Sequence, residues 1–198
     1  VLRTSAVLAL NINTMTAIRK IMAPETASTD TRLHVDIDIR TNAWHEEQSN
    51  IEALSRLALE MAWKSLDYPE RDYEVSLVLG DDEMQRALNS QYLGKDTSTN
   101  VLSFPSDEAN TCDFPIEASL PLGDIIVAFE TVKRECEQEG VSFSDHFCHL
   151  VVHGMLHLAG FDHISSVEAE AMEALEIDIL SKLGINNPYA DGILLDHG

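Results

Sequence analysis

Positive charge is scarce in this chain: 13 lysines and arginines stand against 34 aspartates and glutamates, a formal net charge of -21 over 198 residues. That balance excludes a broad nucleic-acid surface, because phosphate backbones are held mainly by lysine and arginine. It leaves room for a small local groove. Cysteine is sparse too. Cys112, Cys136 and Cys148 are odd in number and have no paired spacing, so no disulfide framework is expected. A reducing cytoplasm is the simplest compartment for such a chain. No run reaches the roughly 18 apolar residues of a membrane span, so no membrane partner is expected. Hydrophobic residues make up 44% of the chain, enough for the core of one ordinary domain.

Residues 1–31 differ in composition from the rest of the chain. Arg3, Arg19 and Lys20 precede the first acid, Glu25, and the segment is rich in Ala, Thr and Ser without a helix or strand period. It reads as an extension or leader-like arm, without the cleavage pattern of a signal peptide. A single domain is expected over 32–184 and a C-terminal tail over 185–198.

Alternation predicts strands over Leu33–Ile39 and Tyr73–Gly80. Apolar residues at Ile51, Leu54, Leu57, Ala58, Met61 and Ala62 predict an amphipathic helix from Ser49 to Trp63. Asp81, Asp82 and Glu83 open a short helix through Leu88, with acids where a helix N-terminus favours them. Asn89–Asn100 is polar and irregular. Val101–Phe104 is a third strand ending at Pro105, and Asp107–Pro121 is a loop. Leu122–Ala128 is a fourth strand, apolar enough to be central. Helices follow over Phe129–Glu139, from a cap at Ser144 to about Ala159, and from Ser166 to Leu183. On the last helix Met172, Leu175, Ile179, Leu180 and Leu183 form the buried stripe. Glu168, Glu170, Glu173, Glu176 and Asp178 form its wet surface. The element order predicts an α+β domain: a small, mostly antiparallel or mixed four-stranded sheet packed with helices.

Chemistry is concentrated in one run, His153-Gly154-Met155-Leu156-His157-Leu158-Ala159-Gly160-Phe161-Asp162-His163. His153 and His157 lie one helical turn apart on one face. Gly160 can end the helix and let the chain reverse, returning His163 to the pair. Three imidazoles leave one position of a tetrahedral zinc open, which is a catalytic arrangement. His146 and His149 lack that geometry and are read as surface residues or as residues behind the ligands. One zinc per chain is expected.

Such a metal is a Lewis acid that acidifies water and polarises a carbonyl or phosphoryl oxygen. Spacing alone therefore permits peptide or phosphodiester hydrolysis. Zinc peptidases of the H-E-x-x-H type place a glutamate base after the first histidine. Here that position is Gly154, so a peptidase would need its base from elsewhere.

The histidine run resembles the H-G-x-L-H-L-x-G-[YF]-D-H signature of the YbeY-type rRNA-maturation endoribonucleases. Leu88-Asn89, Tyr92, Lys95-Asp96 and Thr99 to Pro105 resemble the family's other block. Leu122 to Ile125 and the Met172-Glu173 region also fit, so the resemblance covers about residues 33 to 184. It implies a single-domain α+β fold with a zinc held by His153, His157 and His163. It implies cleavage of single-stranded RNA, 16S rRNA 3'-end maturation and ribosome quality control in the cytoplasm. The implied partners are the 16S rRNA precursor and the ribosomal small subunit or its proteins. Asp162 would shape the site by holding a histidine, or stabilise the turn.

Two positions depart from the pattern. Leu93 stands where the family has an arginine near the cleft, and Ser98 where it has a proline before Thr99. Leucine offers no donors to phosphate. Lys95 is the expected substitute, with Arg86 as another. The rivals are a non-catalytic zinc-containing ribosome-assembly factor and, behind it, a metallopeptidase. For the apolar residues of the Thr99 to Pro105 block the simplest role is structural.

Overall fold

Alternating burial along Tyr73–Gly80 (β2) puts Tyr73, Val75, Leu77 and Leu79 into one core. Leu33–Ile39 (β1) runs parallel to β2, which runs parallel to Leu120–Ala128 (β4); Val101–Pro105 (β3) pairs antiparallel with β4. The computed structural model describes residues 32–107 and 118–190. The four strands form one sheet in the order β1-β2-β4-β3. The sheet is thus mixed, with parallel pairing in the majority. Parallel neighbours need a crossover, and the chain supplies one between β1 and β2 as the helix Ile51–Lys64 (α2).

A short helix, Ala43–Glu47 (α1), precedes α2 and was not expected from the sequence. Its Trp44 is fully buried, donates from Nε1 to the Gly80 carbonyl at 3.0 Å, and meets Phe129 edge-on. Helix α2 starts at Ile51 rather than Ser49, and Leu57, expected in its buried stripe, is 49% exposed. The helix Asp82–Leu93 (α3) runs five residues past the expected end at Leu88. Its polar second half disguises it, because Asn89 is buried while its amide donates to the Thr97 carbonyl at 2.7 Å.

Phe129–Glu139 (α4) and Phe143–Leu158 (α5) follow β4. Ser142, not Ser144, stands at the start of α5, and the two hydroxyls bond to each other at 2.8 Å. Every residue of α5 from His146 to Leu158 is buried. Such a helix belongs to the core rather than the surface. It packs on β3 and β4 and against α2, α4 and the last helix, Ser166–Lys182 (α6). The four histidines of α5 therefore lie inside the molecule. The expected arm, residues 1–31, and part of the Asp107–Pro121 loop lie outside the described residues.

Candidate metal centre

The turn after α5 builds the site. The Phe161 N–H bonds to the Leu156 carbonyl at 3.0 Å and the Gly160 N–H to the His157 carbonyl at 2.9 Å. This is the two-bond ending that needs a left-handed residue, and Gly160 has φ 88°. The Phe161 carbonyl then lies 2.9 Å from His157 Nδ1. A carbonyl only accepts, so His157 carries its proton on Nδ1 and presents a lone pair at Nε2. Further round the turn, Asp162 Oδ1 accepts the backbone N–H of His163 at 2.8 Å.

His153 is oriented from the opposite side. Its Nδ1 lies 2.7 Å from Glu176 Oε1 on α6, and Glu176 is 1% exposed. An ionised carboxylate only accepts, so His153 also presents a lone pair at Nε2. The two Nε2 atoms are 2.9 Å apart. Two imidazole nitrogens at that distance share a proton or a metal ion between them. The third imidazole, His163, has a buried Nε2 with no hydrogen-bond partner. Ligand atoms of His153, His157 and His163 lie within 4.8 Å of one another, and among the described residues this is the only such cluster. The donor set fits a divalent metal that favours imidazole, zinc included.

The electrostatics agree. Burial pushes the pKa of His157 well below its ordinary value, and His153 and His163 beside it push the same way. Burial and the nearby His153 also lower His163. Imidazoles held neutral are ready ligands. For Glu176 burial acts upward, but His153, together with hydrogen bonds from His149 and His153, outweighs it and holds the carboxyl well below its usual range. Cys148 lies on the same helix, but burial pushes its thiol up to about 12. It offers no thiolate at neutral pH.

Gly154 faces the sheet. A Cβ there would lie 2.8 Å from Ile125 Cγ2 and 3.1 Å from Ser103 Oγ, and Ser103 donates to the Gly154 carbonyl at 3.2 Å. Helix and sheet approach too closely for a side chain. Packing therefore denies this position the glutamate base of an H-E-x-x-H peptidase.

Of the two readings of His146 and His149, burial removes the surface one and leaves the one behind the histidine cluster: they are 4% and 1% exposed, and His149 Nε2 lies 3.3 Å from Glu176 Oε2. His146 Nε2 meets Glu135 Oε2 at 2.8 Å, and Glu135 also accepts from the buried Asn100 at 3.2 Å. The polar part of the Thr99 to Pro105 block is thereby tied to the histidine helix. Glu176 is not part of the wet face of α6. It lies four residues from both Met172 and Leu180, on the buried stripe. That spacing was the available signal. Tyr189 was also missed; its hydroxyl donates to Glu176 Oε2.

The other named residues lie around the end of α3. Leu93 is its last residue, half-buried, and Gly94 caps it. Lys95 follows, exposed, with its backbone N–H on the Asn89 carbonyl at 3.2 Å. Arg86 is paired with Asp96 through two bonds of 2.6 and 2.8 Å. Tyr92 packs on Phe104 of β3 with ring centroids 5.2 Å apart, and Ser103 of the same strand binds α5. Strand β3 thus links this corner to the histidine helix. A cleft of about 510 Å³ has Phe104 of β3 in its lining, together with Asp36, Glu74 and Asp124. Its acids oppose phosphate.

A family model described as Endoribonuclease YbeY matches residues 36–184. A protein of Paramagnetospirillum magneticum named Endoribonuclease YbeY is 43% identical over 159 residues, covering 80% of this chain and 97% of that protein. Another of that name, from Rhodopseudomonas palustris, is 44% identical over 156 residues, covering 79% of this chain and 90% of that protein. A solution structure of a Thermotoga maritima protein has 23% identity and a TM-score of 0.49, covering 76% of this chain and 92% of that one.

Proposed function

The chain belongs to the YbeY endoribonuclease family, and from that premise we propose that it is a zinc-dependent endoribonuclease that hydrolyses phosphodiester bonds in single-stranded RNA. The substrate is the 16S rRNA precursor at its 3' end, and the setting is ribosome maturation and quality control in the cytoplasm. The observation that carries the reading is the convergence of three imidazoles, two of them with Nδ1 engaged and Nε2 turned inward. His153, His157 and His163 would hold one zinc ion per chain. When bound, the metal supplies Lewis acidity that acidifies water and draws charge from a phosphoryl oxygen. Glu176 and the Phe161 carbonyl keep two ligands in the right protonation state. Asp162 holds the His163 backbone and acts as a positioning residue. Lys95 is the cation proposed to meet the phosphate, since Leu93 offers no donor. The catalytic domain spans 32–184.

Chain charge supports a division of labour. At -21 the protein cannot hold RNA by a broad basic surface. The ribosomal small subunit, or one of its proteins, presents the strand instead. Among the described residues no helix is long and apolar enough to cross a membrane.

A second reading is favoured by Leu93: a zinc-containing ribosome-assembly factor that lost turnover with the arginine. One experiment separates the two. Zinc-loaded protein is incubated in parallel with labelled single-stranded RNA and with casein. RNA cleavage that His157→Ala abolishes supports the nuclease. Stoichiometric zinc without cleavage of either substrate supports the assembly factor. Casein cleavage would overturn both.

A further inference from the structure

His153 is held from behind by Glu176, which lies within the residues the family model matches. Tyr189 lies beyond the matched residues 36–184. We propose that Tyr189 is a positioning residue of the metal centre: reaching back from the C-terminal segment, it fixes the Glu176 carboxylate that holds His153 in its Nδ1-protonated form. The proposal rests on the metal reading of the three histidines and extends it to the tail.

The geometry is specific. Glu176 Oε1 accepts from His153 Nδ1 at 2.7 Å. Its other oxygen, Oε2, accepts from the Tyr189 hydroxyl and lies 3.3 Å from His149 Nε2. His149 Nε2 is also 3.2 Å from the Tyr189 oxygen, and the two rings meet nearly at right angles, 5.6 Å apart. Both carboxylate oxygens thus have donors in a site closed to water. Without the Tyr189 hydroxyl, Oε2 would keep only the longer 3.3 Å contact with His149, and the carboxylate would be held less firmly. A carboxylate free to shift loosens its grip on His153. Tyr189 is delivered by a local turn in which its N–H bonds to Asn187 Oδ1 at 2.8 Å.

Three variants of the full chain test this: Glu176→Gln, Tyr189→Phe and the pair. Tyr189→Phe keeps the ring and removes only the hydroxyl, so folding is preserved even where Glu176→Gln destabilises. Zinc affinity is measured by competition with a chelator. The His153 tautomer is read from long-range proton–nitrogen spectra of the metal-free protein. We expect Glu176→Gln to weaken zinc binding about 10–100-fold, and Tyr189→Phe by a smaller factor of about 3–10. The pair should bind no more weakly than Glu176→Gln alone, because Tyr189 acts through Glu176. Tyr189→Phe should also raise the Nε2-protonated share of His153. A Tyr189→Phe variant with parental affinity and tautomer, altered only in melting temperature, would make the contact a tail anchor and overturn the proposal. Additive losses in the pair would overturn it too. A parent chain that takes up no zinc would sink the metal reading, and the tautomer spectra then decide this proposal alone.

Discussion

Leu93 ends α3 where the resembling family carries an arginine, and the two side chains differ in one decisive respect. Guanidinium offers a rigid fork of donors to phosphate; leucine offers none. Losing one well-placed donor from a site that stabilises developing charge costs about 10²–10³ in rate. Leu93→Arg should therefore speed single-turnover RNA cleavage by part of that factor and leave zinc content unchanged. Lys95→Ala in the parent should slow cleavage. Should neither change matter in an active enzyme, phosphate charge is met by the metal or by the presenting partner. At this scale the convergence of the three histidines was legible and what supports them was not. His153, His157 and His163 lie within eleven consecutive residues, so helical geometry and one glycine suffice to bring them together. Glu176 touches His153 from 23 residues away. It hides among Glu168, Glu170, Glu173 and Asp178, and only its spacing from Met172 and Leu180 sets it apart.

Helix endings matter more than helix interiors for this site. The reversal at Gly160 sets the His157 tautomer through the Phe161 carbonyl and carries His163 back to the pair. Gly160 has φ 88°, and a left-handed conformation costs other residues roughly 1–2 kcal/mol. Nothing lies within 4 Å of a Cβ at this position, so Gly160→Ala tests the backbone without a clash. Denaturant unfolding should show a loss of about 1 kcal/mol, and chelator competition should show weaker zinc binding. Parental zinc affinity in a destabilised variant would mean the turn is not what presents His163. Strands and long helices were legible because burial imposes a period on them. α1 was not, since five residues are too few for a period and its one anchor, Trp44, is fixed by contacts with Gly80 and Phe129. The second half of α3 was missed for a different reason. Its buried Asn89 satisfies a loop carbonyl and reads as surface.

The whole molecule joins an acidic composition to an interior histidine cluster that could hold a cation. Alternation told which face of each strand is buried, but not which strands are neighbours, so the parallel β1-β2-β4 pairing came only from the structure. Pairing across 40 residues has no local signature. The charge, by contrast, was legible from composition and has a measurable consequence. Each phosphate neutralised on a single strand contributes about -0.7 to the slope of log affinity against log salt. With 13 basic residues against 34 acids, the isolated chain should show a shallow slope, equivalent to about one or two phosphates. Filter binding of a single-stranded oligonucleotide across salt concentrations reads it directly. A steep slope would reveal a basic groove and remove the need for a presenting partner. The central claim is that the three-histidine cluster, once charged with metal, cuts RNA. Zinc titrated into metal-free protein, with cleavage of a single-stranded 16S 3'-end precursor followed on the small subunit, tests it most directly. The rate should rise linearly to one equivalent per chain, then level off, and stay at zero in His157→Ala. Cleavage by the metal-free chain, or none with one zinc bound per chain, would contradict it.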